Sequence, residues 1–159
     1  MVAAAASLGS AIPPGASILV DTSVALAYLT GAEPTSELAV ELFDSFVATG
    51  RNVAALSVVT VQEILVRPFR SGPPAVATAE GFLRHFAEIQ IVEVTYDIAR
   101  EAAHLRAGTG VRAPDALIIA TALVTHADIL VTNDRSWPAR LAPVVPTLTV
   151  CLLTDLAPA

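Results

Sequence analysis

Ile18-Leu19-Val20-Asp21-Thr22-Ser23 is the stretch on which the fold turns. An apolar run ends in a carboxylate, two hydroxyl residues follow, and an Ala/Leu/Tyr segment begins at once. This order predicts a buried strand closed by Asp21, with Thr22-Ser23 supplying capping hydroxyls to the next helix. The pattern returns at Ile129-Leu130-Val131-Thr132, where Asn133-Asp134 follows directly. Ala54-Ala55-Leu56-Ser57 reads as a further short strand, and Glu63 falls about one turn into the helix that Ser57 or Thr60 starts. Strands alternating with helices are the order expected of an α/β sandwich. In open α/β sheets ligands collect beyond the carboxyl ends of the strands.

The intervening segments fit this order. Val24 to Gly31 is a short helix stopped by glycine, and 35–49 a longer one with Leu38, Leu42 and Phe46 on one stripe. Pro68 is expected to close the Glu63 helix, and Ser71-Gly72-Pro73-Pro74 to form a loop. Val76, Ala79, Leu83 and Phe86 then mark an amphipathic helix, Ile89 to Val94 a strand, and Thr95 the cap of a helix over 96–107. Gly108-Thr109-Gly110 reads as a turn; it lacks the third glycine of a dinucleotide fingerprint. The helix opened by Ala113-Pro114-Asp115 is apolar almost all round, so it must be buried, and its one carboxylate requires a partner.

Asp21, Glu63, Asp115 and Asp134 therefore lie in four local contexts, each at a strand or helix end. Taken singly, Asp21 serves as a helix cap, Glu63 as a solvated face and Asp134 as part of an Asx turn. Taken together they form a divalent-cation site, because magnesium and manganese prefer carboxylate oxygen and water. Convergent carboxylates without an ion repel one another, and some then hold protons at neutral pH. A bound cation removes that penalty, lowers the pKa of a bound water and stabilises a leaving oxygen on phosphorus. Thr22, Ser23, Thr132 and Asn133 stand beside the acids, placed to orient carboxylates or water.

The segments Asp21-Thr22-Ser23-Val24, Val59 to Ile64, Pro114 to Leu123 and Ile129 to Trp137 resemble PIN domains, and among these the VapC-type toxins of prokaryotic toxin-antitoxin pairs. The resemblance spans roughly Ile18 to Leu152, with the four acids in family order. It implies a three-layer α/β/α sandwich with a central, mostly parallel sheet, and a Mg2+- or Mn2+-dependent ribonuclease acting on RNA with metal-activated water, inhibited by a cognate antitoxin protein and usually a homodimer. It also implies that the helices before the Gly108-Thr109-Gly110 turn form an outlying hairpin that shapes the dimer and antitoxin groove. The same site serves two alternatives, a non-toxin RNA-processing nuclease and a non-catalytic binding module of the same fold. Three features depart from the family pattern. A leader precedes the first strand, Ser136 stands where an acid is common, and Trp137-Pro138 replaces an acidic residue followed by Phe.

Composition bounds these readings. A chain of 159 residues with 54% hydrophobic content is expected to hold one domain, 18–159, behind a flexible leader, 1–17. A formal charge of -6 opposes RNA binding globally, but two divalent ions would leave about -2 by the same count. Arg67, Arg70, Arg112 and Arg135 flank the acids and are candidates to grip phosphate. The chain has no lysine, which excludes a P-loop, a receiver domain and Ser-x-x-Lys acylases. His85, His104 and His126 lack ligand spacing and read as structural. The lone Cys151 sits in an apolar run, so a buried thiol in a reducing, cytoplasmic setting is expected. No secretory signal or membrane span is expected.

Overall fold

The computed structural model describes residues 7–157. Five strands, β1 (Ile18–Val20), β2 (Ala54–Ser57), β3 (Ile89–Val92), β4 (Ile129–Thr132) and β5 (Thr149–Leu152), form a sheet in the order β3-β2-β1-β4-β5. Every pairing is parallel, so the sheet is wholly parallel rather than mostly so. Among the described residues, eight α-helices surround it: α1 (Leu8–Ala11), α2 (Thr22–Thr30), α3 (Ser36–Val40), α4 (Val58–Ser71), α5 (Pro73–His85), α6 (Tyr96–Thr109), α7 (Ala113–Val124) and α8 (Trp137–Leu141).

Alternation along the strands divides the core between the two faces. Ile18, Val20, Ile129 and Val131 bury into one cluster with Val24, Phe43 and Ile64, whereas Leu19 and Leu130 bury into the other with Ile98, Ile118 and Trp137. A sheet covered on both faces needs strands that are apolar on both sides, and β1 and β4 are buried at every residue. The strand order reverses between β1 and β4. This topological switch point opens a crevice at the carboxyl ends of those two strands, and Asp21 and Asp134 lie there.

Several local expectations are corrected. The stripe over 35–49 is not one continuous α-helix: after α3 the chain widens into a π-helical segment, Glu41–Val47, closed by Ala48 N–H donating to the Phe43 carbonyl at 2.8 Å. The wider turn presents Leu42, Phe43, Phe46 and Val47 to the core together. Pro68 does not end α4, which runs on to Ser71; the proline forgoes one hydrogen bond, and the helix stops at Gly72, whose φ of 115° suits glycine. Likewise α6 continues through Gly108 and Thr109, and Gly110 caps it in the left-handed conformation.

The leader is not wholly flexible. Met1–Ala6 lie outside the described residues, but α1 follows a Ser7 cap, and Leu8 and Ile12 are fully buried in the first cluster. Asn52 Nδ2 donates to the carbonyls of Pro13 and Ala16 at 2.9 and 2.8 Å, and Arg51 Nη2 donates to that of Ile12 at 2.9 Å. Cys151 is buried on β5, as expected. No single helix among the described residues is long and apolar enough to cross a membrane.

Candidate active site

β1 delivers Asp21 to the crevice, where it caps α2 and is 5% exposed. The neighbouring hydroxyls do not cap the helix by their side chains as expected. Ser23 Oγ donates to Asp21 Oδ2 at 2.5 Å, and Thr132 Oγ1, at the end of β4, donates to the same oxygen at 2.9 Å. Thr22 Oγ1 instead donates to Glu63 Oε2 at 2.5 Å and lies 2.9 Å from Thr60 Oγ1. A carboxylate only accepts, so Thr22 gives its single proton to Glu63 and takes one from Thr60. Glu63 is thereby anchored to the residue after Asp21, although the two acids arise from different elements.

The loop after β4 extends the same network. Asp134 N–H donates to Thr132 Oγ1 at 3.0 Å, and Asn133 N–H donates to Ser23 Oγ at 3.1 Å. Ser136 N–H donates to Asp134 Oδ1 at 2.8 Å, the Asx turn expected of Asp134 taken alone. Ser136 thus braces that carboxylate through its backbone, and Trp137, buried in the second cluster, anchors the loop beneath it. Asn133 Nδ2 donates to the Ser23 carbonyl at 3.3 Å, while its Oδ1 is buried without a partner.

Asp115 enters from the other side, in the first turn of α7, where the helix dipole favours its charge. Arg112 pairs with it bidentately, Nε to Oδ2 at 3.0 Å and Nη2 to Oδ1 at 3.3 Å. Asp115, and more weakly Glu63 and Asp134, hold the exposed Arg112 guanidinium above its ordinary pKa. One side-chain cation therefore lies in the combined field of three acids that are distant in sequence. Burial pushes the Asp21 carboxyl above its usual range, opposed by the Ser23 and Thr132 hydrogen bonds.

The acids are gathered but not closed around a point. No three His, Cys, Asp or Glu side chains among the described residues form a ready metal cage. Each carboxylate is engaged by a hydroxyl, a backbone N–H or Arg112 instead. The donor set nevertheless suits a hard divalent ion, being made of oxygen alone, with the unpartnered Asn133 Oδ1 adjoining it in sequence. Arg112 already stands in for a positive charge there.

Of the arginines proposed to grip phosphate, Arg112 lines a cavity of about 270 Å³ with Asp115, Asp134 and Ser136. Arg135 is exposed beside it in sequence, its Nη2 3.5 Å from the Thr154 carbonyl. Arg67 faces a different groove, between α2, α4 and α5, and Arg70 lies exposed in the last turn of α4. Sequence reasoning missed Arg140, which lines the Arg112 cavity from α8, and Thr60. Thr60 carried a usable signal, a hydroxyl one helical turn before Glu63. Arg140 carried none, because only the fold of the Trp137 loop brings it round. The Ser57 and Thr121 hydroxyls, 3.3 Å apart, were missed too; they tie the start of α4 to α7.

A family model confirms which architecture this is: the PIN domain matches residues 18–142. The chain belongs to the PIN-domain family. This PIN domain is 33% identical over 125 residues to ribonuclease VapC19 of Mycobacterium tuberculosis, covering 76% of this chain and 91% of that one. In fold it resembles VapBC2 of Rickettsia felis bound to a promoter DNA fragment, with a TM-score of 0.64, 17% identity, and coverage of 86% and 98%. It also resembles the sarcin-ricin loop cleaving toxin VapC20 of Mycobacterium tuberculosis, with a TM-score of 0.62, 22% identity, and coverage of 77% and 93%.

Proposed function

We propose that this PIN domain is a Mg2+- or Mn2+-dependent endoribonuclease, the toxin of a toxin-antitoxin pair. The observations that carry the reading are the hydroxyls fixing two of the acids at the switch point, Ser23 and Thr132 on Asp21 and Thr22 on Glu63, with the Asp134 N–H on Thr132 and Arg112 on Asp115. The relative named a ribonuclease supports RNA as the substrate.

Asp21, Glu63, Asp115 and Asp134 would hold the ion. When bound, it supplies a water of lowered pKa and charge stabilisation at the scissile phosphate. Thr132 and Ser23 fix the Asp21 carboxylate, Thr22 fixes Glu63, and Asn133 holds Ser23 in place. Oriented acceptors of this kind spare the reaction the cost of arranging them. Arg112, with Arg140 in the same cavity and Arg135 on the loop, offers positive charge to a phosphodiester that the acids alone would repel. Val66 and Phe69 stand exposed on α4, and mostly apolar residues line the groove between α2, α4 and α5; both surfaces suit a protein partner, an antitoxin or a second copy.

Purified protein is expected to cut RNA with millimolar Mg2+ or Mn2+ and to stop with chelator. Asp115→Asn should lower the cleavage rate by more than about 100-fold. A variant that cleaves as fast as the parent would remove Asp115 from the site. Growth arrest on expression, relieved by the product of a small adjacent gene, tests the toxin role separately.

A further inference from the structure

An ion pair between residues three apart on a helix is ordinarily worth little. The Arg112–Asp115 pair differs in which oxygens it uses. The guanidinium engages both Oδ1 and Oδ2, so the carboxylate has no free in-plane acceptor on the side it faces. Those are the atoms a magnesium or manganese ion must take at about 2.1 Å. An ion bound through those same lone pairs would have to displace the guanidinium, which leaves free only the outer lone pair of each oxygen.

The partners are also unequal in burial. The Asp115 side chain is 15% exposed and fixed by a buried helix, whereas that of Arg112 is 80% exposed. Asp115 cannot leave, but Arg112 can be released into water with little loss of packing. Both partners line the cavity that they share with Arg140, Ser136 and Asp134.

We propose that Arg112 is the resident counter-ion of the acidic cluster: its guanidinium competes with a divalent cation for Asp115 and leaves that carboxylate when the ion binds. Metal loading is then an exchange of one cation for another. Arg112 and Arg140 line one cavity, so a guanidinium released from Asp115 completes a two-arginine seat for a substrate phosphate in the loaded protein. This rests on the metal-site reading above and adds to it an internal competitor that sets the metal concentration at which the site fills.

The test is Mn2+ binding to the full chain, followed by the electron paramagnetic resonance of free Mn2+, for the parent, Arg112→Gln and Asp115→Asn. Arg112→Gln is expected to bind Mn2+ about three- to tenfold more tightly than the parent. Without metal it should melt at a lower temperature, because the acids lose their counter-ion, and saturating Mn2+ should close that gap. Arg112→Lys, which keeps the charge without the planar fork, should fall between the two. Equal or weaker Mn2+ binding by Arg112→Gln would overturn the exchange, since an arginine that stays beside the bound ion supports it. A parent showing no Mn2+ binding sensitive to Asp115→Asn would instead overturn the metal site itself.

Discussion

At the scale of single residues, Asp21 is the costly one. Its pKa in the folded protein lies above the ordinary carboxylate value, chiefly because burial penalises the charged form. Below that value both the folded and unfolded carboxyls are protonated and the group has no effect on stability. As pH rises, the unfolded chain releases its proton first, so stability falls until pH passes the raised folded value. The metal-free protein therefore carries this cost in full once pH has passed that raised value. Asp21→Asn is expected to raise its melting temperature at pH 7, with the advantage fading toward about pH 4. Thermal melts of both proteins in chelator across that range check this; a lower melting point for the variant at pH 7 would mean that the Ser23 and Thr132 hydrogen bonds outweigh burial. The acids themselves were legible in the sequence, because each ended a recognisable strand or opened a recognisable helix. Thr22 and Ser23 were legible only as hydroxyls. Helix capping and carboxylate orientation call for the same chemistry at the same place, and only the arrival of Glu63 and Thr132 decides between them.

Among the elements, α1 shows how a segment without a motif becomes part of the core. Leu8 and Ile12 fill the first cluster beside Phe46 and Val47, and Asn52 and Arg51 hold the chain that follows. Arg51 also stacks over the Phe46 ring at 3.7 Å, closing that corner. Ile12→Ala should destabilise the fold by about 2–5 kcal/mol, the range for deleting a buried aliphatic side chain. Denaturant unfolding measures this directly, and a change below about 0.5 kcal/mol, typical of exposed positions, would return the segment to the status of a loose leader. The central helices and strands were readable because their periodicities are strong. The π-helical widening at Glu41–Val47 was not, since residues 35–49 satisfy an α-helical stripe equally well and only the shape of the core selects the wider turn. Pro68 misleads for a similar reason: one lost hydrogen bond is a local cost that the packing of α4 against α5 outweighs.

For the molecule as a whole, two apolar layers seal the sheet and leave chemistry to its carboxyl edge. Cys151 reports on that seal. Burial, with a smaller contribution from Asp155, pushes its thiol up to about 11. It should therefore react with a thiol reagent at pH 8 only after unfolding, and rapid labelling of the native protein would show that β5 opens readily. The linkage has one sign: above pH 9 the unfolded chain ionises first, so this thiol makes the fold progressively less stable as pH climbs toward 11.

The sequence by itself determined the alternating strands and helices and the place of the four proposed acids at element ends, because each is written in local periodicity and in the residue that ends an element. Tertiary structure alone decided that β4 pairs with β1 rather than β3, which puts Asp134 beside Asp21, and that Thr22 reaches Glu63 and Arg112 occupies Asp115. Those outcomes depend on which distant segments bury against one another. Hydrophobic burial is non-directional, so it specifies that a face must be covered without naming, in any short stretch of chain, what will cover it.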